Sequence, residues 1–192
     1  MTHHRIPFMA VLLLFGFLTT SSATASTHFP ERITLENQAL QRIGLGTARY
    51  AGIIRVYDAA LYAPATGARA DILDTALPKR LEILYHRSIE AKLLVEAALR
   101  TLEHQHGSEI LVRWQSHLDR LHAAYRDVSA GDRFALEMIP EQGLRLEFNG
   151  REVARIYAPA FGRLYFGIWL GEKPLSATLR DALLPVDCCR AE

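Results

Sequence analysis

The residue types best able to do chemistry are concentrated in one short stretch of β-prone sequence. Arg49, Tyr50, Arg55, Tyr57 and Tyr62 fall within 14 residues of one another. At a period of two, Arg49, Arg55 and Tyr57 share one face of a strand if no bulge intervenes. An arginine on the inner face of a sheet has to meet an anion or a polar ligand, because it does not shed its charge. A surface arginine beside aromatic neighbours is the alternative reading. Other catalytic signatures are missing from the sequence: it has no Gly-x-Ser-x-Gly elbow, no Gly-x-x-x-x-Gly-Lys loop and no His-Glu-x-x-His. Gly44-Leu45-Gly46 lacks the third glycine of a dinucleotide fingerprint. His104 and His106 lie two apart, and His117 and His122 five apart, which on a helix is a divergence of about 140°. Neither pair is a ready metal clamp, so no metal and no cofactor is expected.

The elements that must position these side chains follow from periodicity. Short β-prone runs from 32 to 35 and from 43 to 62, with glycines at 44, 46 and 52, predict strands joined by turns or bulges. A short helical piece is expected around 70–77. Leu81, Ile83 and Tyr85 then alternate as one apolar strand face. From Ser88, a candidate N-cap, the stripe Ala91, Leu94, Val95, Ala98 and Leu102 predicts a helix ending near Gly107. A second helix from Ser108 carries Leu111, Trp114, Leu118, Leu121 and Tyr125, so the two form an antiparallel hairpin. Strands follow around Phe134–Met138 and Leu144–Phe148. Asn149-Gly150 is a strong hairpin signal leading to a third strand near 152–157. Phe161, Leu164, Tyr165, Ile168 and Trp169 predict a helix stopped by Gly171 and Pro174, and a last helix spans 176–184. The order describes an α+β domain, an antiparallel sheet covered by helices.

The two ends read differently. A cationic leader containing Arg5, an apolar run from Phe8 to Leu18 and the small-x-small sequence Ala23-Thr24-Ala25 predict a secretory signal peptide over 1–25, cleaved between Ala25 and Ser26. The apolar run is shorter than the roughly 20 residues of a membrane-spanning helix, so no integral membrane segment is expected in the mature chain. A periplasmic or secreted location follows. Only Arg5 among the charged side chains precedes Ser26, which leaves the remainder balanced and without a general attraction to nucleic acid. One domain over 26–186 and a tail over 187–192 are expected. The only cysteines, Cys188 and Cys189, are adjacent. They read as a disordered tail or as the link of a disulfide-bonded dimer.

Taken together, Gly44-x-Gly46-x-x-Arg49, Arg55-Val56-Tyr57-Asp58-Ala59-Ala60-Leu61-Tyr62, Gly131-Asp132, Asn149-Gly150 and Ile168-Trp169-Leu170-Gly171-x-x-Pro174-Leu175 resemble the exported bacterial branch of the chalcone isomerase-like family. The resemblance implies an open-faced β-sandwich, a large antiparallel sheet with a layer of helices enclosing an apolar cleft. It includes isomerases that close a flavanone ring and relatives that bind fatty acids. Arg49 matches the family's oxyanion-stabilising arginine, and Tyr57 falls at a threonine position of the enzymes. Lys92 and Leu99 fall near the catalytic tyrosine and asparagine. Ring closure needs donors aimed at the reacting oxygens, which leucine does not supply. The reading is a non-catalytic binder of a small apolar or amphipathic molecule such as a fatty acid, with Arg49, Tyr57, Leu94, Ala98 and Phe161 as ligand-binding residues. The alternatives are an isomerase or lyase using Arg49, Tyr57 and Lys92, and a ligandless interaction module.

Overall fold

The structure, a computed structural model, describes residues 29–65 and 71–184. The expected signal peptide with its Ala25/Ser26 cleavage site, and the tail carrying Cys188 and Cys189, lie outside the described residues. The chain folds as β1 (Arg32–Leu35), β2 (Gln38–Tyr50), β3 (Ile54–Ala63) and β4 (Lys79–Tyr85), followed by α1 (Ala91–His106), α2 (Glu109–Arg113) and α3 (Gln115–His122). It continues through β5 (Arg133–Ile139), β6 (Gly143–Phe148) and β7 (Arg151–Ile156) to α4 (Pro159–Leu170) and α5 (Ala177–Leu183). The seven strands form one antiparallel sheet in chain order, and β4 pairs with β5 across the three inserted helices. The expected α+β architecture is present, with helices over one face of the sheet.

Alternation decides which side chains meet those helices. Tyr57, Ala59 and Leu61 of β3, Leu81, Ile83 and Tyr85 of β4, Phe134, Leu136 and Met138 of β5, and Leu144 and Leu146 of β6 all enter the core beneath the helices. The opposite face has its own small core, where Ala60, Tyr62, Leu84 and Ile139 are covered by Phe29, Leu35 and Leu40.

Two glycines on β2 set how closely the helical layer approaches. A Cβ on Gly44 would lie 2.0 Å from the Leu183 carbonyl oxygen. One on Gly46 would lie 2.8 Å from both Ala182 Cβ and Leu179 Cδ1. The Gly-x-Gly pair is therefore a seat for α5, not a phosphate loop.

The sequence-based expectations need three corrections. Of the piece expected at 70–77, the described part from Asp71 is a pair of turns in which Asp71 and Asp74 carboxylates accept from the Leu73 and Ala76 backbone N–H groups. Aspartate's local hydrogen bonding wins over helix there. The helix expected from Ser108 is broken at Trp114, whose backbone leaves the helical region (φ −107°, ψ 13°) while its indole packs 5.6 Å from the Phe161 ring. The third concerns parity: a bulge lies between Ala48 and Arg49, because Ala48 pairs with Tyr57 and Arg49 with Arg55, leaving Val56 unopposed. Arg49 and Tyr57 therefore do not share a face by simple alternation. The Asn149-Gly150 hairpin is present as expected, with φ of 49° and 76°.

Because α5 lies this close, Gly44→Ala is expected to destabilise the protein by about 2–4 kcal/mol, its clash being with the Leu183 backbone. Gly46→Ala costs less, since the Leu179 side chain it meets can shift. Urea unfolding of both variants checks the order, and equal stability of Gly44→Ala and wild type contradicts it.

Candidate functional site

Beneath α1 the two layers do not quite meet. A small, partly open cavity of about 50 Å³ lies between Leu94, Ala97 and Ala98 of α1, Tyr57 of β3, Ile83 and Tyr85 of β4, Phe134 and Leu136 of β5, Leu146 of β6, Ile168 and Trp169 of α4, and Tyr125 and Leu175. Larger hollows lie at the surface, such as one of about 450 Å³ beside Trp114, Arg163 and Lys173, and these open to solvent. This inner space is lined by aliphatic and aromatic side chains, and no acidic, basic or histidine residue is among them.

Its polar content is three phenols and an indole. The Trp169 Nε1–H donates to the Tyr57 hydroxyl at 3.3 Å. The Tyr125 hydroxyl bonds that of Tyr165 at 2.9 Å, and Tyr165 in turn lies 3.2 Å from His122 Nε2. The Tyr85 hydroxyl has no hydrogen-bond partner among the described residues, and its ring packs 5.7 Å from that of Tyr57 and 6.3 Å from Phe134. Burial pushes the Tyr57 and Tyr125 phenols up to about 12 and raises those of Tyr85 and Tyr165 well above the usual value. All four are protonated at neutral pH, so each carries an O–H and none serves as a base. Burial also lowers His122 to about 4, against a smaller opposing effect of Asp119, so this imidazole is neutral.

The roof is held loosely at one end. Among the residues of α1 only Ala98, Thr101 and Leu102 are buried, so its first two turns contain no fully buried side chain. The Ala91 N–H is capped by Asp127 at 2.8 Å, and the helix packs chiefly on α2 and α4. Few buried apolar contacts make a segment easy to open locally.

Of the residues singled out from sequence, Tyr57, Leu94 and Ala98 come together around the cavity. Phe161 lies deeper in the core, stacked with Trp114, His117 and Tyr165, and does not line it. Arg49 stands exposed near the end of β2 and donates to the Ile53 carbonyl at 3.2 Å. Lys92 is exposed on α1, 3.9 Å from Glu96. Leu99 borders a groove between α1 and the α2–α3 pair. Sequence reasoning missed Tyr85, Tyr125 and Trp169 as site residues. Tyr85 shares the inward parity of Leu81 and Ile83, which is the signal that finds it.

The family model for chalcone isomerase-like proteins matches residues 21–185. Among curated proteins nothing matches the sequence. Among solved structures, the crystal structure of a fatty-acid binding protein from Arabidopsis thaliana is similar in fold, with a TM-score of 0.62 at 17% identity. The likeness covers 83% of this chain and 92% of the plant protein.

The buried imidazole gives a pH signature. His122 titrates near 6.5 when unfolded and near 4 when folded, so the unfolded chain binds the extra proton first. Its contribution to stability is fully present above pH 6.5 and is lost as pH falls toward 4. Urea unfolding across that window is expected to show a slope that is reduced in His122→Gln; an identical slope in the variant contradicts it.

Proposed function

Since the chain belongs to the chalcone isomerase-like family, we propose that it is an exported, non-catalytic member that holds a small apolar or carboxylate-bearing molecule, such as a fatty acid, between sheet and helices. The observation that carries this reading is the small, partly open apolar cavity lined by phenol hydroxyls, one of which, on Tyr85, has no hydrogen-bond partner among the described residues. Apolar walls with a few placed polar groups are the usual composition of a small-molecule site. That hydroxyl has a hydrogen to donate and needs an acceptor. A ligand head that accepts hydrogen bonds meets that need, while its chain takes the space under Leu94, Ala97 and Ala98.

The same lining argues against catalysis. Ring closure or elimination requires a group that takes or gives a proton near neutral pH, or a fixed charge opposite the developing oxyanion. The cavity wall offers neither, because its phenols are held protonated, and Arg49 and Lys92 are exposed elsewhere. Export is supported by the leader, apolar run and cleavage sequence over 1–25. The plant structure of similar fold is that of a fatty-acid binding protein, which agrees with this ligand class.

One observation favours a second reading. At about 50 Å³ the cavity is far below the roughly 300–1,000 Å³ of ordinary ligand sites. Ligand entry therefore requires the first turns of α1 to move outward; if they do not, the protein is a ligandless module with a packed core. Displacement of a fluorescent fatty acid by dodecanoate separates the two. Wild type is expected to bind, and Tyr85→Phe to bind roughly tenfold more weakly, as for loss of a hydrogen bond to a charged group. Absence of any binding to wild type overturns the ligand reading and leaves the packed module.

A further inference from the structure

We propose that the tip of the β2–β3 hairpin is a docking surface for an anionic lipid bilayer. The tip reads Tyr50-Ala51-Gly52-Ile53-Ile54 and turns tightly, with φ of 49° at Ala51 and 74° at Gly52 and the Ile53 N–H donating to the Tyr50 carbonyl at 3.2 Å. Turns of this kind ordinarily carry asparagine, aspartate or glycine beside polar neighbours. Here the neighbours are apolar and outside both cores: Tyr50 is 70% exposed, Ile53 77% and Ile54 38%. One exposed isoleucine needs no explanation, but three contiguous large apolar side chains on a convex tip mark an interaction site.

Charge identifies the partner. Arg49 and Arg55 stand directly opposite each other across the two strands, an arrangement of like charges that is unfavourable without a counter-ion. Arg55 is ion-paired with Asp58, which also accepts from Thr47 at 2.7 Å. Arg49 donates only to the Ile53 carbonyl and has no acidic partner among the described residues. Exposed Arg87 follows His86, whose backbone N–H donates to the Val56 carbonyl at 2.9 Å, so a third guanidinium belongs to this end of the sheet. Apolar side chains at the point and arginines behind them match the layering of a bilayer surface, where acyl chains lie beneath phosphates. A lipid phosphate beside Arg49 supplies the missing counter-charge while Ile53 and Ile54 enter the boundary region. Tyr57 of the cavity is three residues along β3 from Ile54, about 10 Å at strand rise. Docking by the tip thus brings the cavity end of the sheet to the membrane.

Flotation of the mature protein with vesicles tests this. Phosphatidylcholine vesicles carrying roughly one-third phosphatidylglycerol are expected to bind it, pure phosphatidylcholine vesicles much less, and added salt to release it. Arg49→Gln should weaken binding about fivefold, the usual effect of one basic residue near an anionic surface. Ile53→Ser should weaken it about tenfold or more, from lost apolar burial. Far-UV circular dichroism of both variants establishes that each is folded. In Ile53→Trp, the new indole should shift to the blue on binding anionic vesicles. No flotation with anionic vesicles, or flotation unchanged in Arg49→Gln and Ile53→Ser, overturns the proposal. So does an Ile53→Trp shift that depends on protein concentration without lipid, which identifies a second copy as the occupant. None of these readings requires the cavity to bind a ligand.

Discussion

The apolar inner face of the central strands must be kept from water, and that requirement places the helices of the described residues. Burial of each large side chain on β3 to β6 contributes about 1.5–3 kcal/mol, so this face is where most of the driving force lies. Helix α5 satisfies the requirement over β2 by lying nearly backbone to backbone against Gly44 and Gly46. Helix α4 fills the space over β5 and β6, where Gly162 lies against Met138 and Leu144. Lys79 is the charged exception on this face. It is fully buried, its Nζ donates to the Asp74 carbonyl at 2.7 Å and lies 5.5 Å from the Phe166 ring centroid, and burial lowers it to about 8. Under α1 coverage falls short, and the residual space is the cavity.

The outer face fixes register by charge. Glu137 on β5 is 1% exposed and stands directly opposite Arg80 on β4 and Arg145 on β6, pairing with both. Arg80 also meets Glu147 at 2.7 Å, Arg133 meets Glu82 at 2.6 Å, and Arg145 reaches Glu36 of the β1–β2 turn at 2.8 Å. Buried ion pairs add little net stability, because desolvation offsets most of the attraction. A one-residue slip of β5, however, would send Glu137 into the apolar core and strand two arginines. The lattice therefore acts as a register lock behind the face that carries the site.

How much of this was readable from the sequence depends on the range of the interaction. Alternation at Leu81, Ile83 and Tyr85, the Asn149-Gly150 turn and the helical stripe from Phe161 to Trp169 are local signals, and each produced the expected element. The bulge at Ala48/Arg49 has no such signal, because it is defined by pairing with β3, and it separates Arg49 from the face of Tyr57. The break at Trp114 likewise depends on Phe161, which lies far along the chain. Tyr57, Leu94 and Ala98 reach the cavity because strand parity and helical spacing carry them there. Tyr125 and Trp169 looked like packing residues, and only the convergence of four elements makes them part of a polar cluster.

In the proposed function, the space under α1 opens to hold an apolar chain with its head on the tyrosines. Methyl NMR of the protein titrated with dodecanoate tests it most directly, because Leu94, Ala97, Ala98, Leu136, Leu146 and Ile168 surround the cavity. Saturable shifts of these methyl resonances are expected, together with intermolecular contacts to the acyl chain. Cavity methyl signals that stay unshifted at high dodecanoate concentration would contradict it.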